Sequence, residues 1–124
     1  EIRDLTNGGV DYAIDLAGVI QAMDTAYQII RYGGSVVTAG LSPINTQFSF
    51  NHSDLVAQEK SILGSYMGSC VPVRDVPRFL NLYKQGRLPV DKLIDGKITF
   101  DNLNEGFDKL SKGEVVRQIL VPNA

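Results

Sequence analysis

The side chains that could act as acid, base, nucleophile or metal ligand are few and widely spaced. His52, the single histidine, lies between Asn51 and Ser53 in a polar stretch typical of a solvated or helix-capping residue. Cys70, the single cysteine, has neither a second cysteine nor a histidine at ligand spacing, which favours a partly buried small residue over a metal ligand. The sequence therefore predicts no nucleophile–base pair and no metal site.

Acidic residues and glycines offer a different chemistry, the binding of a small ligand. Asp11 and Asp15 fall on one face of a predicted strand, where acids beside a helix terminus are usually structural. Gly8-Gly9 precedes that strand, whereas a phosphate loop follows a strand and opens a helix. Gly18 does follow a strand and open a helix. A single glycine does not identify a phosphate site, so these residues alone indicate only a soluble α/β domain.

The segment Gly8–Leu41 supplies the framework for such a site, with the pattern of strand, turn, helix and strand. Apolar residues alternate from Val10 to Ala17, which predicts a strand, and its alanines leave one face slim enough for a packed helix. From Val19 the spacing is helical, Gly33-Gly34 is predicted to end the helix, and Ser35–Leu41 is predicted as the second strand. A connecting helix makes the two strands parallel.

Ligands of open parallel sheets lie at the carboxyl ends of the strands. In this chain those ends are Asp15–Gly18 and Ala39–Leu41. We expect any ligand site at these two segments.

The other predicted elements follow from capping residues and apolar spacing. The first of them are the end of a helix at Glu1–Thr6, a loop at Pro43–Asn51 with Phe48 and Phe50 in extended structure, a short helix over Asp54–Glu59 capped by Asn51 or Ser53, and a strand at Ser61–Met67. A helix follows that is capped by Asp75, has Pro77 in its first turn and ends at Gly86. The last are a strand at Ile98–Phe100, a helix from Asp101 to Gly113 and a strand at Val115–Val121.

Composition narrows the function classes. The 124 residues suit one domain, with 44% hydrophobic and 21% charged residues and a net charge of −2, which disfavours nucleic acid as a partner. No apolar run approaches the roughly 20 residues of a membrane span, and no signal-peptide pattern opens the chain. One cysteine favours a reducing, cytoplasmic setting. The opening at Glu1, without a methionine, predicts a piece of a longer protein.

An ordered series of short motifs covers nearly the whole chain. The motifs are Gly8–Tyr12 with Asp15 and Gly18, Gly33–Val37 with Gly40, Gly64–Ser69, Leu103–Asp108 and Gly113–Leu120. The series resembles the second half of the cofactor domain and the carboxyl-terminal end of the medium-chain, zinc-type alcohol dehydrogenases.

The resemblance implies an α/β fold: half of a Rossmann-like parallel sheet with flanking helices, plus a carboxyl-terminal helix and strand. Residues 1–66 would belong to the NAD(P)-binding domain, and residues 67–124 would return to the catalytic domain. The implied activity is hydride transfer between an alcohol and an aldehyde or ketone, with NAD or NADP as cofactor. Zinc would belong to the whole protein but not to this segment. The chain alone would be inactive and bind NAD(H) poorly.

The resemblance also assigns cofactor contacts, and it assigns no catalytic residue to this chain. Leu16, Ala17 and Gly18 would lie beside the two riboses. Ala39, Gly40 and Leu41 would approach the nicotinamide ring, while Ser65 and Met67 would contact its carboxamide through backbone atoms. Arg117 would face the pyrophosphate; on the predicted terminal strand it shares a face with Val115 and Ile119.

Partners and alternatives complete the expectation. The implied partners are a nicotinamide cofactor, a small alcohol or carbonyl substrate and a second copy of the chain, paired through the strand 61–67.

A zinc-independent quinone or enoyl reductase of the same superfamily remains an alternative. So do an interaction segment that drives dimerisation and a flavodoxin-like module, although the strand ends carry Gly18, Gly40 and Gly68 where a phosphoacceptor module needs acids. The substrate, the reaction direction and the choice between NAD and NADP stay open.

Overall fold

Two compact units make up the protein in this computed structural model, which describes residues 1–122. The first unit is Glu1–Cys70 and the second begins at Val71. In the first unit the elements are α1 (Ile2–Leu5), β1 (Val10–Asp15), α2 (Ile20–Ile29), β2 (Ile30–Thr38), α3 (His52–Ala57), β3 (Ser61–Gly64) and a 3₁₀ turn (Tyr66–Ser69). None of the helices in residues 1–122 is both long and apolar enough to cross a bilayer.

The sheet of the first unit is parallel, with strand order β1-β2-β3. Asp15 is paired with Thr38, and Thr38 with Gly64, so the carboxyl ends of all three strands meet at one edge. This confirms the predicted α/β class with a parallel sheet and flanking helices.

The core lies between the sheet and α2, on the face that the alanines of β1 leave slim. Ala13 is buried, whereas Tyr12, Ile14 and Leu16 are each more than two-thirds exposed on the other face or beyond the strand end. The buried apolar residues are Ala13, Met23, Ala26, Tyr27, Ile30 and Val36. The predicted alternation of β1 is therefore confirmed, and its small-residue face is the one that holds the helix.

The end of α2 was predicted wrongly. The helix ends at Ile29 and β2 begins at once at Ile30, so Gly33-Gly34 lies inside the strand rather than at a helix stop. Val10 pairs with Ile30, and the next pair is Tyr12 with Ser35. An advance of two residues along β1 therefore corresponds to five residues along β2, which is a bulge in β2. Gly33 accommodates this bulge with a φ of 70°. The strand then ends at Thr38, three residues before the predicted Leu41.

The third strand is also shorter than the predicted Ser61–Met67, because β3 ends at Gly64. Met67 and Gly68 have φ values of 50° and 65°, a left-handed backbone that cannot continue a strand. The loop before α3 contains no extended strand at Phe48, whose ring packs on Tyr27 instead. Asn51 caps α3 as predicted, accepting a hydrogen bond from Ser53 N at 2.9 Å.

The second unit contains α4 (Pro72–Lys84), β4 (Gly96–Ile98), α5 (Leu103–Ser111) and β5 (Gln118–Leu120), and β4 and β5 pair in parallel. β4 begins two residues before the predicted Ile98–Phe100 and ends at Ile98, and β5 is shorter than the predicted Val115–Val121. Phe100 starts a 3₁₀ turn that leads into α5, and the backbone before Gln118 is tied to Asp95 rather than to a strand.

The start of α4 differs from the prediction in the role of Asp75. Val71 is the N-cap and Pro72 is the first helical residue, so Asp75 lies within the first turn rather than at the cap, and Pro77 lies beyond the first turn. The buried Asp75 carboxylate reaches back to accept a hydrogen bond from Val71 N at 2.8 Å, and it pairs with Arg74. These bonds hold the pKa of Asp75 below its usual value. Gly86 ends the helix as predicted, with a φ of 69°.

Lys60 caps a backbone carbonyl near the carboxyl end of α2. Its ammonium donates to Tyr27 O at 3.2 Å and lies 4.6 Å from the centroid of the Tyr27 ring. Lys60 is only 8% exposed, and burial lowers its pKa. The Tyr27 ring also contacts Phe48 and Phe50, with centroids 6.2 and 6.1 Å away. The ring therefore anchors both α2 and the loop that precedes α3.

The Tyr27 hydroxyl, unlike its ring, contributes little to this packing. It is buried and has no hydrogen-bond partner among residues 1–122. A buried unsatisfied hydroxyl costs about 1–3 kcal/mol. We therefore expect Tyr27→Phe to raise the free energy of unfolding by about 1 kcal/mol, measured by urea denaturation. Tyr12→Phe, at a 71% exposed position, is the control and should change nothing. A Tyr27→Phe protein less stable than the wild type would contradict this picture.

Candidate functional site

Asp15 is the hydrogen-bonding centre of the edge where the strands end. Its side chain accepts hydrogen bonds from Ala17 N at 3.0 Å and from the Thr38 hydroxyl at 2.8 Å. Its backbone carbonyl accepts from Ala39 N at 2.9 Å and from Gly40 N at 3.3 Å. One residue thus ties the turn after β1 to the end of β2.

Gly18 and Gly40 bring the two strand ends into direct backbone contact. A Cβ on Gly40 would lie 2.1 Å from Gly18 N, and a Cβ on Gly18 would lie 2.6 Å from Leu41 O. Gly18 also has a φ of 67°, in the left-handed region that favours glycine. The Ser42 hydroxyl donates to Gly18 O at 2.8 Å and fixes the same approach. Neither position has room for a side chain.

A cleft of about 350 Å³ opens between the ends of β2 and β3. It is lined by Thr38, Ala39, Gly40, Leu41, Gly64, Ser65 and Tyr66. Ser65 N donates to Thr38 O at 2.9 Å, which fixes the third strand end to the second. Ala39 N and Gly40 N are bonded within the protein as well, and the small residues leave room for a flat ligand to approach the backbone closely. We find no acid–base pair in it, so its chemistry is binding.

The structure brings most of the predicted contact residues of the first unit together. Ala39, Gly40, Leu41 and Ser65 line the cleft, and Gly18 touches two of them. Three other predicted contact residues do not line the cleft. Leu16 and Ala17 precede Gly18 on the exposed turn. Met67 lies in the left-handed turn after the cleft and is 62% exposed.

Sequence reasoning missed two residues of this edge. The sequence pattern predicts a structural role for Asp15 and no role for Thr38. Their side chains meet because β1 and β2 pair Asp15 with Thr38. An acid at the end of an apolar strand, with Ala17 and Gly18 two and three residues later, is the signal that points to Asp15.

Arg117 lies in the second unit, beside an apolar groove of about 270 Å³ formed by α5 and β5. Asp95 holds its backbone on both sides: Arg117 N donates to the Asp95 carboxylate at 2.9 Å, and Asp95 N donates to Arg117 O at 2.8 Å. The hydrogen bonds that the Asp95 carboxylate accepts from Arg117 N and Val116 N lower the pKa of Asp95. Arg117 precedes β5, so the predicted strand face shared with Val115 and Ile119 is wrong for residues 115–117. The side chain is exposed on a fixed backbone.

The residues that the structure describes do not suit a metal ion. Within residues 1–122, no group of three or more His, Cys, Asp and Glu side chains is placed to hold one. His52 is the first residue of α3, and Cys70 is a half-buried free thiol. The donor set does not fit zinc, so no chemistry is assigned to a metal held by this chain.

Comparison with known proteins places the chain in a family. A family model described as zinc-binding dehydrogenase matches residues 1–85. Alcohol dehydrogenase 1 of Pisum sativum is 33% identical over 120 residues, which are 96% of this chain and 31% of that protein. The chain therefore spans about a third of the length of such relatives.

Solved structures agree over both units. The benzyl alcohol dehydrogenase of Acinetobacter calcoaceticus matches with a TM-score of 0.87 at 28% identity, covering 98% of this chain and 33% of that one. A Sinorhizobium meliloti 1021 protein, in a structure bound to NADP, matches with a TM-score of 0.74 at 27% identity, covering 95% of this chain and 33% of that one. These matches favour the dehydrogenase over the flavodoxin-like alternative. The chain belongs to the zinc-binding dehydrogenase family, the medium-chain alcohol dehydrogenases that its motifs resemble.

Proposed function

We propose that this chain forms the nicotinamide-binding edge of an NAD(P)-dependent dehydrogenase, which transfers hydride between an alcohol and an aldehyde or ketone. The cleft at the ends of β2 and β3 carries the proposal, because most of its lining residues are small and let a ligand approach the backbone closely. Its place at the carboxyl ends of parallel strands is where such sheets bind ligands. The relatives are alcohol dehydrogenases, and one structural neighbour is bound to NADP.

The residues of the first unit would bind and orient the cofactor. Ala39, Gly40 and Leu41 would form the floor beneath the nicotinamide ring, and Ser65 and Met67 would hold its carboxamide through backbone atoms. The close contact of Gly18 with Leu41 would place the turn Leu16–Gly18 beside the riboses. The bound cofactor supplies the hydride acceptor or donor.

Arg117 would bind the cofactor pyrophosphate from the second unit. A guanidinium matches phosphate oxygens in geometry and charge. The exposed Arg117 side chain supports this role, because the hydrogen bond from Arg117 N to Asp95 holds its backbone in place.

We further propose that residues 1–66 are part of the cofactor domain and residues 67–124 return to the catalytic domain of a cytoplasmic enzyme. Zinc would be held by other parts of the whole protein.

Titration calorimetry of the whole protein with NADH and with NADPH tests the function. We expect micromolar or tighter binding of one cofactor, and oxidation of a small alcohol with that cofactor's oxidised form. Absence of binding by both cofactors would overturn the proposal.

We also propose that the protein is a homodimer that pairs through the strand segment 61–67. β3 is an outer strand of the sheet in residues 1–122, so one row of its backbone groups is open for pairing. Ser65 N points to Thr38. Because N–H directions alternate along a strand, Ile62 N points to the open edge.

Proline at position 62 should therefore weaken the dimer. Ile62→Pro removes a donor from the open edge, and we expect the dimer dissociation constant to rise at least about tenfold, which corresponds to one lost ladder bond. Ile62 also packs on the core, so Ile62→Ala, which keeps the N–H, is the control for lost packing. Analytical ultracentrifugation measures both variants. A wild-type protein that is monomeric at high micromolar concentration, or equal weakening by alanine and proline, would contradict the pairing.

A further inference from the structure

The Asp15 side chain is charged but almost completely enclosed. It is 5% exposed and forms no ion pair with another described residue. Its two oxygens are satisfied instead by Ala17 N and the Thr38 hydroxyl. Burying a carboxylate is costly unless it is hydrogen-bonded, so a purely packing role would be served better by an apolar residue.

The bonds around Asp15 link all three strand ends in one network. The carboxylate joins the turn after β1 to the Thr38 side chain on β2, and Thr38 O accepts from Ser65 N at the end of β3. Thr38 and Ser65 both line the cleft, whereas Asp15 does not. The carboxylate therefore acts on the cleft only through its neighbours.

We propose that Asp15 is a positioning residue for the dinucleotide: its carboxylate fixes the Ala17-Gly18 turn and the end of β2 in the arrangement that receives the nicotinamide riboside. This inference rests on the proposed function. A site whose backbone is held in place before binding avoids the entropic cost of ordering it during binding. Releasing the carboxylate leaves Ala17 N without its partner and lets the turn move relative to Gly40.

The test uses Asp15→Ala and Thr38→Val in the whole protein, with cofactor binding measured by fluorescence titration at a temperature where each variant is fully folded. Asp15→Ala removes both acceptor oxygens, whereas asparagine would keep one for Ala17 N and its amide would donate to the Thr38 hydroxyl. We expect Asp15→Ala to raise the dissociation constant about tenfold and Thr38→Val about three- to tenfold, the loss of one charge-assisted bond. The double variant should be little weaker than Asp15→Ala alone, because the bond to Thr38 is already lost there. Thr38→Ser keeps the hydroxyl and should restore most of the affinity.

Asp11→Ala is the matched control. Asp11 is on the same strand, about 13 Å from Asp15 at roughly 3.3 Å per residue, and its carboxylate pairs with Arg31 on the exposed side. We expect its cofactor affinity to be unchanged.

The steady-state constants separate positioning from chemistry. We expect the KM for cofactor to rise in Asp15→Ala while kcat at saturating cofactor stays within about twofold, since the residue acts on binding. If Asp15→Ala melts at a lower temperature but binds cofactor with the wild-type constant, Asp15 is structural and the inference is overturned while the proposed function stands. If the wild-type protein binds neither cofactor, both fail.

Discussion

Gly40→Ala should weaken cofactor binding by roughly ten- to a hundredfold, because overpacking costs about 1–3 kcal/mol and each 1.4 kcal/mol is about tenfold in affinity. A Cβ at this position would lie 2.1 Å from Gly18 N and 2.6 Å from Gly18 Cα. Both atoms belong to the backbone, so no side-chain rotation relieves the clash and the ends of β1 and β2 must separate. We also expect a loss of about 1–3 kcal/mol in unfolding free energy, as for overpacked sites. Fluorescence titration and thermal melting measure the two effects.

Gly96→Ala is the control for a glycine that is replaced in a strand with free space. Nothing lies within 4 Å of a Cβ at Gly96, and the residue is outside the left-handed region. Its affinity and melting temperature should match the wild type. A Gly40→Ala protein that binds cofactor normally would show that the contact between the strand ends does not shape the site.

Arg117→Ala should raise the cofactor dissociation constant by roughly ten- to a hundredfold. Charge-assisted bonds to a phosphate contribute on the order of 1.5–3 kcal/mol, and each 1.4 kcal/mol is about tenfold in affinity. The melting temperature should hardly change, because the bonds to Asp95 involve the Arg117 backbone and survive the truncation. Arg117→Lys should recover only part of the affinity, since it keeps the charge and loses the two-pronged geometry.

Arg87→Ala tests whether the effect is specific. Arg87 is another exposed arginine of the second unit, and its backbone N is likewise anchored, to Leu82 O at 2.9 Å. Its removal changes the net charge equally and should leave cofactor affinity unchanged. Should Arg117→Ala bind cofactor normally and melt several degrees lower, the arginine has a structural role instead.

The backbone architecture of the first unit was largely predictable, because apolar periodicity and capping residues act locally. The alternation through β1 and the cap at Asn51 are both confirmed. Gly33-Gly34 misled the prediction because a glycine pair ends a helix and permits a bulge equally well. The pairing of Ile30 with Val10 decides between them, and that contact joins residues far apart in sequence.

The location of the candidate site was predictable from the sequence, but the side-chain contacts that hold it were not. Parallel strands put their carboxyl ends at one edge, which located Gly18 and Gly40. The contact of Asp15 with Thr38 depends on strand register, which no local pattern specifies. Met67 was predicted within a strand, and its left-handed backbone became visible only in the structure.

A crystal structure of the whole protein with its bound nicotinamide cofactor tests the central claim most directly. We expect the nicotinamide ring in the cleft lined by residues 38–41 and 64–66, with its carboxamide within hydrogen-bond distance of backbone atoms of that cleft. The pyrophosphate should lie against Arg117. A cofactor bound elsewhere, with this cleft open to solvent, would contradict the account.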